Sequence, residues 1–388
     1  MQRAYHLLVH AAKRHEVHLL ALHQPRLIST ADRLAESIRV LSRICASVRV
    51  FSLPAERSAV HRTLAMLRSL VTREAYDVTW LRSEQMRKAV SALVTDDFDL
   101  VHVDTLGLWR YVERVTHLPI VLDHHNIESD LAMCRARRER GIRSILLRRD
   151  AAKLRCLEVY AAPRAAANLV VSDLDAVRLT AIAPLATIAV VENGVDTAYW
   201  QPTPTACSGL IFAGTLGWHA NRDALEFLLG EIWPALLATG ADSRLTLVGR
   251  DPPAIARNAT ADPRVHVTGF VDDVRPFFLE ASIFVCPIRV GGGTRLKVLD
   301  ALAMGKALVS TRVGVDGLHL QAETHYLAAE TADDFVMQIL RLEADPALSA
   351  RLSAAGRRCA EERFDWGIVG GHLDAAYDQA QGTAGTLR

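Results

Sequence analysis

The 388-residue sequence lacks the features that mark secreted, membrane-spanning or zinc-binding proteins. No apolar run is long enough to cross a bilayer, and the polar and charged residues 10–14 interrupt any signal-peptide core. The six cysteines are scattered without a C-x-x-C pair, and several lie in apolar runs, which favours free thiols over disulfides or zinc ligands. We therefore expect a cytoplasmic protein of a reducing compartment, without a bound metal.

Charge is nearly balanced overall but unevenly distributed. Residues 1–200 contain 28 Lys and Arg against 22 Asp and Glu, whereas residues 201–388 contain 17 against 22. Nine basic and two acidic side chains fall within residues 135–155. A solvated, arginine-rich pair of helices is one explanation. The other is peripheral docking on an anionic membrane such as the inner face of the plasma membrane, to which each basic residue contributes about 1 kcal/mol. No aromatic residues interleave with these arginines, so nucleic acid is the weaker partner.

Strand and helix patterns alternate along the whole chain. Short apolar, β-branched runs separated by helical periodicity predict an α/β protein with parallel sheets covered on both faces. Half of the residues are apolar, which is enough for two domains. The turn at residues 192–196, which contains Asn193-Gly194, is predicted to end the first domain, and a polar linker follows. We predict domains at 1–196 and 197–362, followed by a terminal segment at 363–388.

The sequence pattern predicts twelve strands. Strands are predicted at residues 16–23, 48–53, 100–104, 120–124, 167–172, 188–191, 210–214, 245–248, 265–268, 282–286, 308–310 and 325–327. Helices are predicted at residues 3–15, 56–71, 83–95, 129–140, 143–162, 173–181, 221–237, 274–280, 296–304, 333–343 and 347–362, with one more near Ala254 and one from Phe364 to Tyr377.

A glycine-rich stretch carries the strongest functional signal. Gly291, Gly292 and Gly293 have no Cβ, so their backbone can approach a ligand closely, and they lead into a helix N-terminus that favours an anion. Arg295 and Lys297 add two cations that we place in the first helical turn. Asp300, one turn beyond Lys297, is suited to bind ribose hydroxyls. The pattern predicts a nucleotide-diphosphate site; the alternative is a solvated glycine-rich turn in which Asp300 only pairs with Lys297.

Two further segments have polar residues where strands are predicted to end. The loop of Gly214 and Thr215 follows a strand, at the edge where nucleotides bind in open α/β sheets; the alternative is a loop without a ligand. Asp173-Leu-Asp175 matches the metal-binding D-x-D pattern, but helix capping explains it better.

The segment around Gly291–Gly293 resembles the donor site of family 4 retaining glycosyltransferases of the GT-B fold. The likeness is closest to an exopolysaccharide-type branch that carries G-G-G-T-R-L-K before a carboxylate-Ala-x-Ala-x-Gly segment. The commoner family pattern is Glu-x7-Glu. In this sequence Asp300 stands at the second Glu position and Gly292 at the first. Because the first Glu often contacts the transferred sugar, its replacement by Gly292 leaves the identity of that sugar open. The resemblance covers nearly the whole chain and is densest over residues 209–318.

The resemblance implies an α/β GT-B architecture, with two Rossmann-like domains whose parallel sheets face a central crevice. Residues 1–196 would be the acceptor side, residues 197–362 would bind the nucleotide-sugar, and the helix of residues 363–388 would cross back to the first domain. Similar enzymes have a strand and a glycine-containing loop before the helix at residues 3–15. The sequence therefore predicts either a first sheet without that strand or a start downstream of the usual one.

The implied reaction moves a sugar from a nucleotide-diphosphate sugar to a hydroxyl acceptor, such as a polysaccharide or lipid-linked glycan precursor, with retention and without a metal. His125, oriented by Asp123 or Glu128, would stabilise the sugar; the alternative is a structural hydrogen bond. Relatives carry an Arg near Thr215 and a Lys near Ala220 that are missing here. We expect Arg295 and Lys297 to supply that charge from the other side of the crevice. The remaining implied donor-binding residues are Gly214, Thr215, Phe270 and Val271 through their backbone, Gly291, Gly292, Gly293, Thr294 and Asp300.

Three other interpretations stay open at this point. Asp272 and Asp273, after Phe270 and Val271, are more simply helix N-caps. The chain could be a non-catalytic module that binds a nucleotide-sugar or a partner transferase, which the abrupt start and Gly292 favour. It could also be a nucleotide-sugar epimerase of related fold, which would interconvert the donor without any acceptor.

Overall fold

The computed structural model describes residues 2–93, 98–202, 207–291 and 293–385. The chain divides into two compact units, Met1–Val191 with Gly370–Arg388 and Glu192–Val369. The first boundary lies five residues before the predicted one, and the terminal segment joins the first unit at Gly370 rather than at residue 363. Among the described residues, no helix is both long enough and apolar enough to cross a membrane.

The α-helices occur in both halves of the chain. In the first half they are α1 (Gln2–Ala11), α2 (Ala31–Leu41), α3 (Pro54–Arg57), α4 (Ala59–Val71), α5 (Tyr76–Trp80), α6 (Glu84–Leu93), α7 (Trp109–Val112), α8 (Glu128–Arg138), α9 (Gly141–Ala161) and α10 (Asp173–Ile182). In the second half they are α11 (His219–Phe227), α12 (Trp233–Ala238), α13 (Ala254–Ala259), α14 (Arg275–Glu280), α15 (Leu296–Ala303), α16 (Ala332–Ala344), α17 (Pro346–Cys359) and α18 (Trp366–Gly385).

The strands follow the predicted positions, and every ladder among them is parallel. They are β1 (His18–His23), β2 (Ser47–Ser52), β3 (Val101–Val103), β4 (Ile120–His124), β5 (Ala167–Val170), β6 (Ile188–Val190), β7 (Leu210–Ala213), β8 (Leu245–Val248), β9 (Val265–Gly269), β10 (Ile283–Cys286), β11 (Ala307–Ser310) and β12 (Leu327–Ala328).

Among its described residues, the first unit contains two ladders instead of one sheet. β1 pairs with β2, and β3-β4-β5-β6 form a separate four-stranded ladder. The side chains of both ladders share one core, in which Leu20 and Leu22 of β1 pack with Val103 and Leu122. Apolar burial, which needs no hydrogen-bond ladder, therefore holds β1 and β2 in the unit. The expectation of a first sheet without one strand stays a prediction.

A buried arginine fixes the first helix to the end of β4. Arg3 is 2% exposed, and its Nε and Nη2 donate to the two carboxylate oxygens of Asp123 at 2.9 Å each. Its Nη1 donates to the Val191 carbonyl oxygen at 2.7 Å. Burial alone would raise the pKa of Asp123, but the Arg3 charge and hydrogen bonds outweigh it and hold that pKa below its usual value. Breaking this buried pair would leave an uncompensated charge.

The second unit is built on one six-stranded sheet in the order β12-β11-β10-β7-β8-β9. Its central strands β7, β10 and β11 are fully buried, as expected for a parallel sheet with helices on both faces. Phe284 of β10 stacks on Phe278 of α14 with ring centroids 5.7 Å apart, and Phe212 of β7 is also fully buried. The chain runs outward from β7 to one edge and from β10 to the other.

Local sequence explains where the helix after β10 begins and ends. Val298, Leu299 and Leu302 of α15 are buried, which supplies the apolar face. Gly305 adopts φ 61°, a left-handed conformation that ends helices, and its N–H donates to the Leu302 carbonyl oxygen at 2.9 Å. The helix is therefore as short as the sequence predicts.

Several predicted helix boundaries were wrong. The predicted helix 56–71 is broken at Ser58, whose extended backbone caps α4 by accepting a hydrogen bond from the His61 N–H. The predicted helix 221–237 is interrupted by a π turn at Leu228–Ile232. Helix α2 was not predicted, although Leu34, Ile38 and Leu41 recur at helical spacing, and none of its residues is buried. Part of the predicted helix 83–95 lies outside the described residues.

Helix α18 docks onto α1 through polar pairs. His10 Nε2 lies 3.0 Å from Asp374 Oδ2, and Arg14 donates to the same oxygen at 2.6 Å. The sequence marks Gly370 and Gly371 as weak points of this helix. A Cβ on Gly370 would lie 2.0 Å from His10 Nδ1, so the missing side chain makes room for the ring. Nothing lies within 4 Å of a Cβ on Gly371.

We predict opposite effects for alanine at these neighbouring glycines. Gly370→Ala should lower the free energy of unfolding by about 1–3 kcal/mol, because the His10 ring must leave Asp374 to admit the methyl group. Gly371→Ala should raise it by about 1 kcal/mol through helix propensity alone. Urea unfolding followed by circular dichroism checks both variants, and equal effects at the two positions would contradict the docking.

Candidate functional site

The second sheet has its topological switch point between β7 and β10. The connection after β7 leads to β8 on one side, whereas the connection after β10 leads to β11 on the other. The loops that follow these two strands therefore diverge at the carboxyl edge of the sheet, which is where open α/β sheets bind ligands. Gly214-Thr215 follows β7, and the glycine-rich stretch follows β10, so the two predicted halves of the site lie on adjacent strands.

Glycines make the backbone of this edge accessible. Gly214 and Gly249, which follow β7 and β8, have φ values of 141° and 145°. A Cβ on Gly249 would lie 1.7 Å from the Gly214 carbonyl oxygen, so the two strand ends pack backbone against backbone. The sequence analysis did not select Gly249, although a glycine directly after a buried strand was the available signal.

Lys297 joins the two loops. Its Nζ donates to Asn221 Oδ1 at 2.6 Å and lies 4.2 Å from the centroid of the Phe212 ring. Asn221 Nδ2 donates in turn to the Thr215 carbonyl oxygen at 2.7 Å. A Cβ on Gly214 would lie 3.0 Å from the ammonium group, so only glycine leaves it room. The lysine from the β10 side thus places its charge at the loop after β7.

Asn221 was missed as a site residue. It is 6% exposed and lies on α11, and it contacts both the predicted cation and the predicted loop. An asparagine near a helix start is common in sequences, so its residue type alone carries little signal. Its position, seven residues after Gly214, was the only indication available.

Burial changes the protonation of the two charged residues on α15. Burial lowers the pKa of Lys297 to about 8, and it raises the pKa of Asp300 to about 8 against the opposing charge of Lys297. Within the described residues, no hydrogen bond to the Asp300 carboxyl group is found. A poorly solvated cation and carboxyl group that share one helical turn are typical of a ligand site.

Arg295 lies just outside the helix, not in its first turn as predicted. It is the extended N-cap residue of α15, because helical backbone begins at Leu296. Its Nη1 donates to the Gly293 carbonyl oxygen at 2.6 Å, and a Cβ on Gly291 would lie 3.1 Å from its Nη2. The guanidinium group thus folds back over the glycine loop. Gly292 lies outside the described residues.

Thr294 is anchored by the turn that the sequence placed at a domain end. Asn193 Nδ2 donates to Thr294 Oγ1 at 2.6 Å, and both side chains are buried. This hydrogen bond holds the glycine loop from the side of residues 192–196. The structure therefore gives Asn193, besides its turn role, a contact with a predicted site residue.

The segment after β9 presents its aromatic ring to solvent. Phe270 is exposed and Val271 is partly buried beside the core. The predicted N-cap was wrong, because Val274, and not Asp273, is the N-cap residue of α14. The Asp273 carboxylate instead accepts from the Arg275 backbone N–H at 3.0 Å and from the Arg275 guanidinium group.

The two adjacent histidines of the first unit differ in environment. His124 is buried at the end of β4, 3.1 Å from Asn168 Oδ1, whereas His125 is partly exposed and lies 3.1 Å from Asp104 Oδ1. Burial lowers the pKa of His125, but Asp104 and the charge of Asp123 outweigh it and raise that pKa above its usual value. The expected orienting residue was wrong: Asp104, not Asp123 or Glu128, bonds His125.

Neither carboxylate cluster resembles a built metal site. Asp104, Asp123 and His125 offer ligand atoms within 4.8 Å of one another, but Arg3 already holds both oxygens of Asp123. Asp175 of the D-x-D segment is buried, accepts from Ser172 Oγ at 2.9 Å, and pairs with Arg178 at 3.0 Å. Ser172 is the N-cap of α10, which agrees with the capping interpretation.

Part of the chain is similar in sequence to known glycosyltransferases. Residues 208–345 match the family of glycosyl transferases group 1, and this segment contains every site residue of the second unit except Asn193. The chain is 30% identical over 210 residues to alpha-maltose-1-phosphate synthase of Mycobacterium tuberculosis, with 46% of this chain and 54% of that protein covered. The chain thus spans about half the length of the curated relatives it matches.

Solved structures show the fold. Sucrose-phosphate synthase from Thermosynechococcus elongatus superposes with a TM-score of 0.64 at 16% identity, covering 97% of this chain and 98% of that one. Anabaena HepE, solved with UDP and glucose, gives 0.68 at 13% identity, covering 97% and 96%. The expected α/β GT-B fold is therefore confirmed.

Replacing Asp300 by asparagine should stabilise the unliganded protein in a pH-dependent way. Its pKa is about 8 in the fold against an ordinary 3.8, so the unfolded chain releases the proton first. The contribution of Asp300 to the free energy of unfolding is then lost as the pH rises from about 4 to about 8. Asp300→Asn should match wild type near pH 4 and exceed it by about 1–3 kcal/mol at pH 8.

Asp262 provides a control of opposite sign. Hydrogen bonds from Arg264 lower its pKa to about 2, so it has finished titrating above pH 4. Asp262→Asn should therefore lower the melting temperature by a similar amount at pH 5 and pH 8. Scanning calorimetry at both pH values measures the two variants, and a pH-independent effect of Asp300→Asn would contradict the raised pKa of Asp300.

Proposed function

We propose that the chain is a metal-independent retaining glycosyltransferase that moves a sugar from a nucleotide-diphosphate sugar to a hydroxyl acceptor. The observation that carries the proposal is the Lys297 ammonium group, which reaches across the switch point to the loop of Gly214 and Thr215. The family match over residues 208–345 supports it, because it includes both loops. The UDP complexes of the Anabaena neighbour support a nucleoside diphosphate as the donor's leaving group.

The chemical task of this site is to stabilise a leaving diphosphate. Lys297 and Arg295 supply two cations, and the backbone N–H groups of Gly291, Gly293 and Thr294 would be further donors. Because the surroundings of Lys297 are poorly solvated, its attraction to a phosphate oxygen is stronger than in water. A bound phosphate would in turn raise the lowered pKa of the lysine, so binding at high pH should take up a proton.

Four further residues would contact the ribose, the base and the sugar of the donor. Asp300, with a pKa of about 8, is largely protonated at neutral pH and can donate to as well as accept from ribose hydroxyls. Phe270 and Val271 follow β9, at the same edge of the sheet, and would contact the base through their backbone. For His125, whose pKa is raised, we propose hydrogen bonding to the transferred sugar as charge develops on it.

A polysaccharide or lipid-linked glycan precursor is the proposed acceptor, and peripheral binding to the inner face of the plasma membrane is the proposed location. The exposed cations that favour it are Arg137, Arg140, Arg143, Arg148, Arg149 and Arg155. Lys153 is partly buried and serves the fold, since its Nζ donates to the carbonyl oxygens of Ser69 and Glu74. The side chain of Arg138 lies outside the described residues.

A non-catalytic nucleotide-sugar-binding or partner-binding module remains the alternative. It is favoured by Gly292, which stands where a carboxylate is common, and by the interrupted ladder of the first unit. Donor turnover with cell-derived lipid acceptors separates the two functions. Binding without turnover would support the module, and donor interconversion without an acceptor would indicate an epimerase.

Removing both site cations should abolish tight nucleotide binding. Arg295→Ala with Lys297→Ala should weaken binding of UDP or GDP, whichever the wild type prefers, by about a hundredfold or more, because charge-assisted hydrogen bonds contribute about 1.5–3 kcal/mol each. Isothermal titration calorimetry with both nucleotides, repeated in EDTA, measures the loss and the metal requirement.

Arg289 provides the matched control for that experiment. It lies in the same stretch, pairs with Asp223 at 3.2 Å, and is exposed. Arg289→Ala removes a positive charge but should change the affinity less than threefold, because an exposed ion pair contributes little. Unchanged affinity in the Arg295 and Lys297 double variant would refute the proposed site.

Replacing His125 should separate binding from turnover. His125→Asn should leave nucleotide affinity unchanged and reduce sugar transfer by about a hundredfold, because it removes a group that stabilises developing charge. The exposed His117 of the same unit is the control, and His117→Asn should keep wild-type turnover. Transfer rates with radiolabelled donor measure both, and undiminished transfer by His125→Asn would limit His125 to its hydrogen bond with Asp104.

A further inference from the structure

Helix α4 exposes a stripe of large aliphatic side chains. Val60, Leu64, Leu67 and Val71 are 66%, 56%, 50% and 83% exposed. Their spacing of four, three and four residues at about 100° per residue places them within an arc of about 60°. Such a stripe normally marks the face of a helix that packs on the core.

The opposite face of α4 is the one that packs. Ala65 and Ser69 are buried, and Thr79 Oγ1 donates to the Ala65 carbonyl oxygen at 3.0 Å. The helix thus turns its small residues inward and its large aliphatic residues toward solvent. Isolated exposed aliphatic residues need no explanation, but an aligned set on an inverted helix marks a binding surface.

The first turns of α9 repeat this inversion. Ile142 and Ile145 are 76% and 65% exposed, and Leu146 is also exposed. Ser144, on the opposite side, is buried and donates to the Ala136 carbonyl oxygen at 2.7 Å. Two neighbouring helices therefore present apolar side chains to solvent in the same manner.

The two helices contact each other. Arg149 of α9 donates to the Leu70 carbonyl oxygen of α4 at 2.6 Å, and Met66 and Leu146 line a shared cavity of about 140 Å³. What we name the α4–α9 apolar face consists of Val60, Leu64, Leu67, Val71, Ile142, Ile145 and Leu146.

Arginines border this face. Arg68 and Arg143 form only long ion pairs of 3.5 Å, with Glu74 and Glu139, and both guanidinium-bearing side chains are largely exposed. Arg148 and Arg149 are exposed beside Leu146. Long arginine side chains can keep their charge at headgroup level while their stems follow apolar surface. A second copy of the chain on this face would bring arginines against arginines, which disfavours self-association.

We propose that the α4–α9 apolar face inserts into the interfacial layer of an anionic phospholipid bilayer, with the bordering arginines at the headgroups. This surface extends beyond residues 135–155 because it adds α4, and its apolar insertion is a separate contribution from charge. The proposal rests on the membrane location proposed above and deepens it. The face shares no residue with the nucleotide site, so a failure of vesicle binding would leave the transferase proposal standing.

Vesicle sedimentation tests the surface directly. The full chain should bind vesicles of phosphatidylglycerol and phosphatidylcholine, and bind vesicles of phosphatidylcholine alone at least tenfold more weakly. Leu64→Glu with Leu67→Glu should reduce binding to the anionic vesicles at least tenfold, since two inserted side chains become charged. Both positions are exposed, so the melting temperature should stay within a few degrees of wild type.

A control of equal charge lies elsewhere in the first unit. Val177 and Leu185 are 66% and 87% exposed, and neither lies on α4 or α9. Val177→Glu with Leu185→Glu adds the same two charges and should retain binding within about threefold. The proposal is overturned if the wild type binds no anionic vesicles, or if both double variants lose binding equally. A dimer that only Leu64→Glu with Leu67→Glu dissociates, without vesicle binding, would also overturn it in favour of a protein partner.

Discussion

The Lys297 ammonium group connects the parts on which the candidate site depends. The Lys297 side chain extends from α15, the helix after β10. Its ammonium group lies between Asn221 Oδ1 and the Phe212 ring, beside the loop after β7. That reach is possible only because β7 and β10 are adjacent at the switch point and because Gly214 has no side chain. A cation with a lowered pKa that lies beside a glycine loop at a sheet edge is suited to bind an anion, and we propose a diphosphate as that anion.

Much of the fold could be predicted because its strands are buried on both faces. Their continuous apolar runs, such as Leu210–Ala213 and Ile283–Cys286, identify them without knowledge of their partners. Helix boundaries were less predictable, since the break at Ser58 depends on a local hydrogen bond to His61 that competes with helical periodicity. The stripe on α4 shows a deeper limit: periodicity predicts a core-facing surface, but tertiary packing turns the small residues inward instead.

Part of the candidate site could be predicted from the sequence, because binding a phosphate needs glycines and cations at close spacing. Glycines, Arg295, Lys297 and Asp300 stand out in the sequence, and the structure places the Lys297 ammonium group beside Gly214. Asn221 could not be found in this way, because its role arises from two contacts made in three dimensions. Likewise, Asp104 lies 21 residues from His125, whereas sequence proximity suggested Asp123, which Arg3 occupies.

A crystal structure of the chain with the nucleoside diphosphate it prefers tests the central claim most directly. The account predicts a phosphate oxygen within about 3 Å of Lys297 Nζ, a distance typical of charge-assisted hydrogen bonds, with the diphosphate between the loops after β7 and β10. It would be contradicted by a diphosphate bound elsewhere on the second unit, for example in the groove lined by Arg222 and Arg257, with Lys297 still bonded to Asn221 alone.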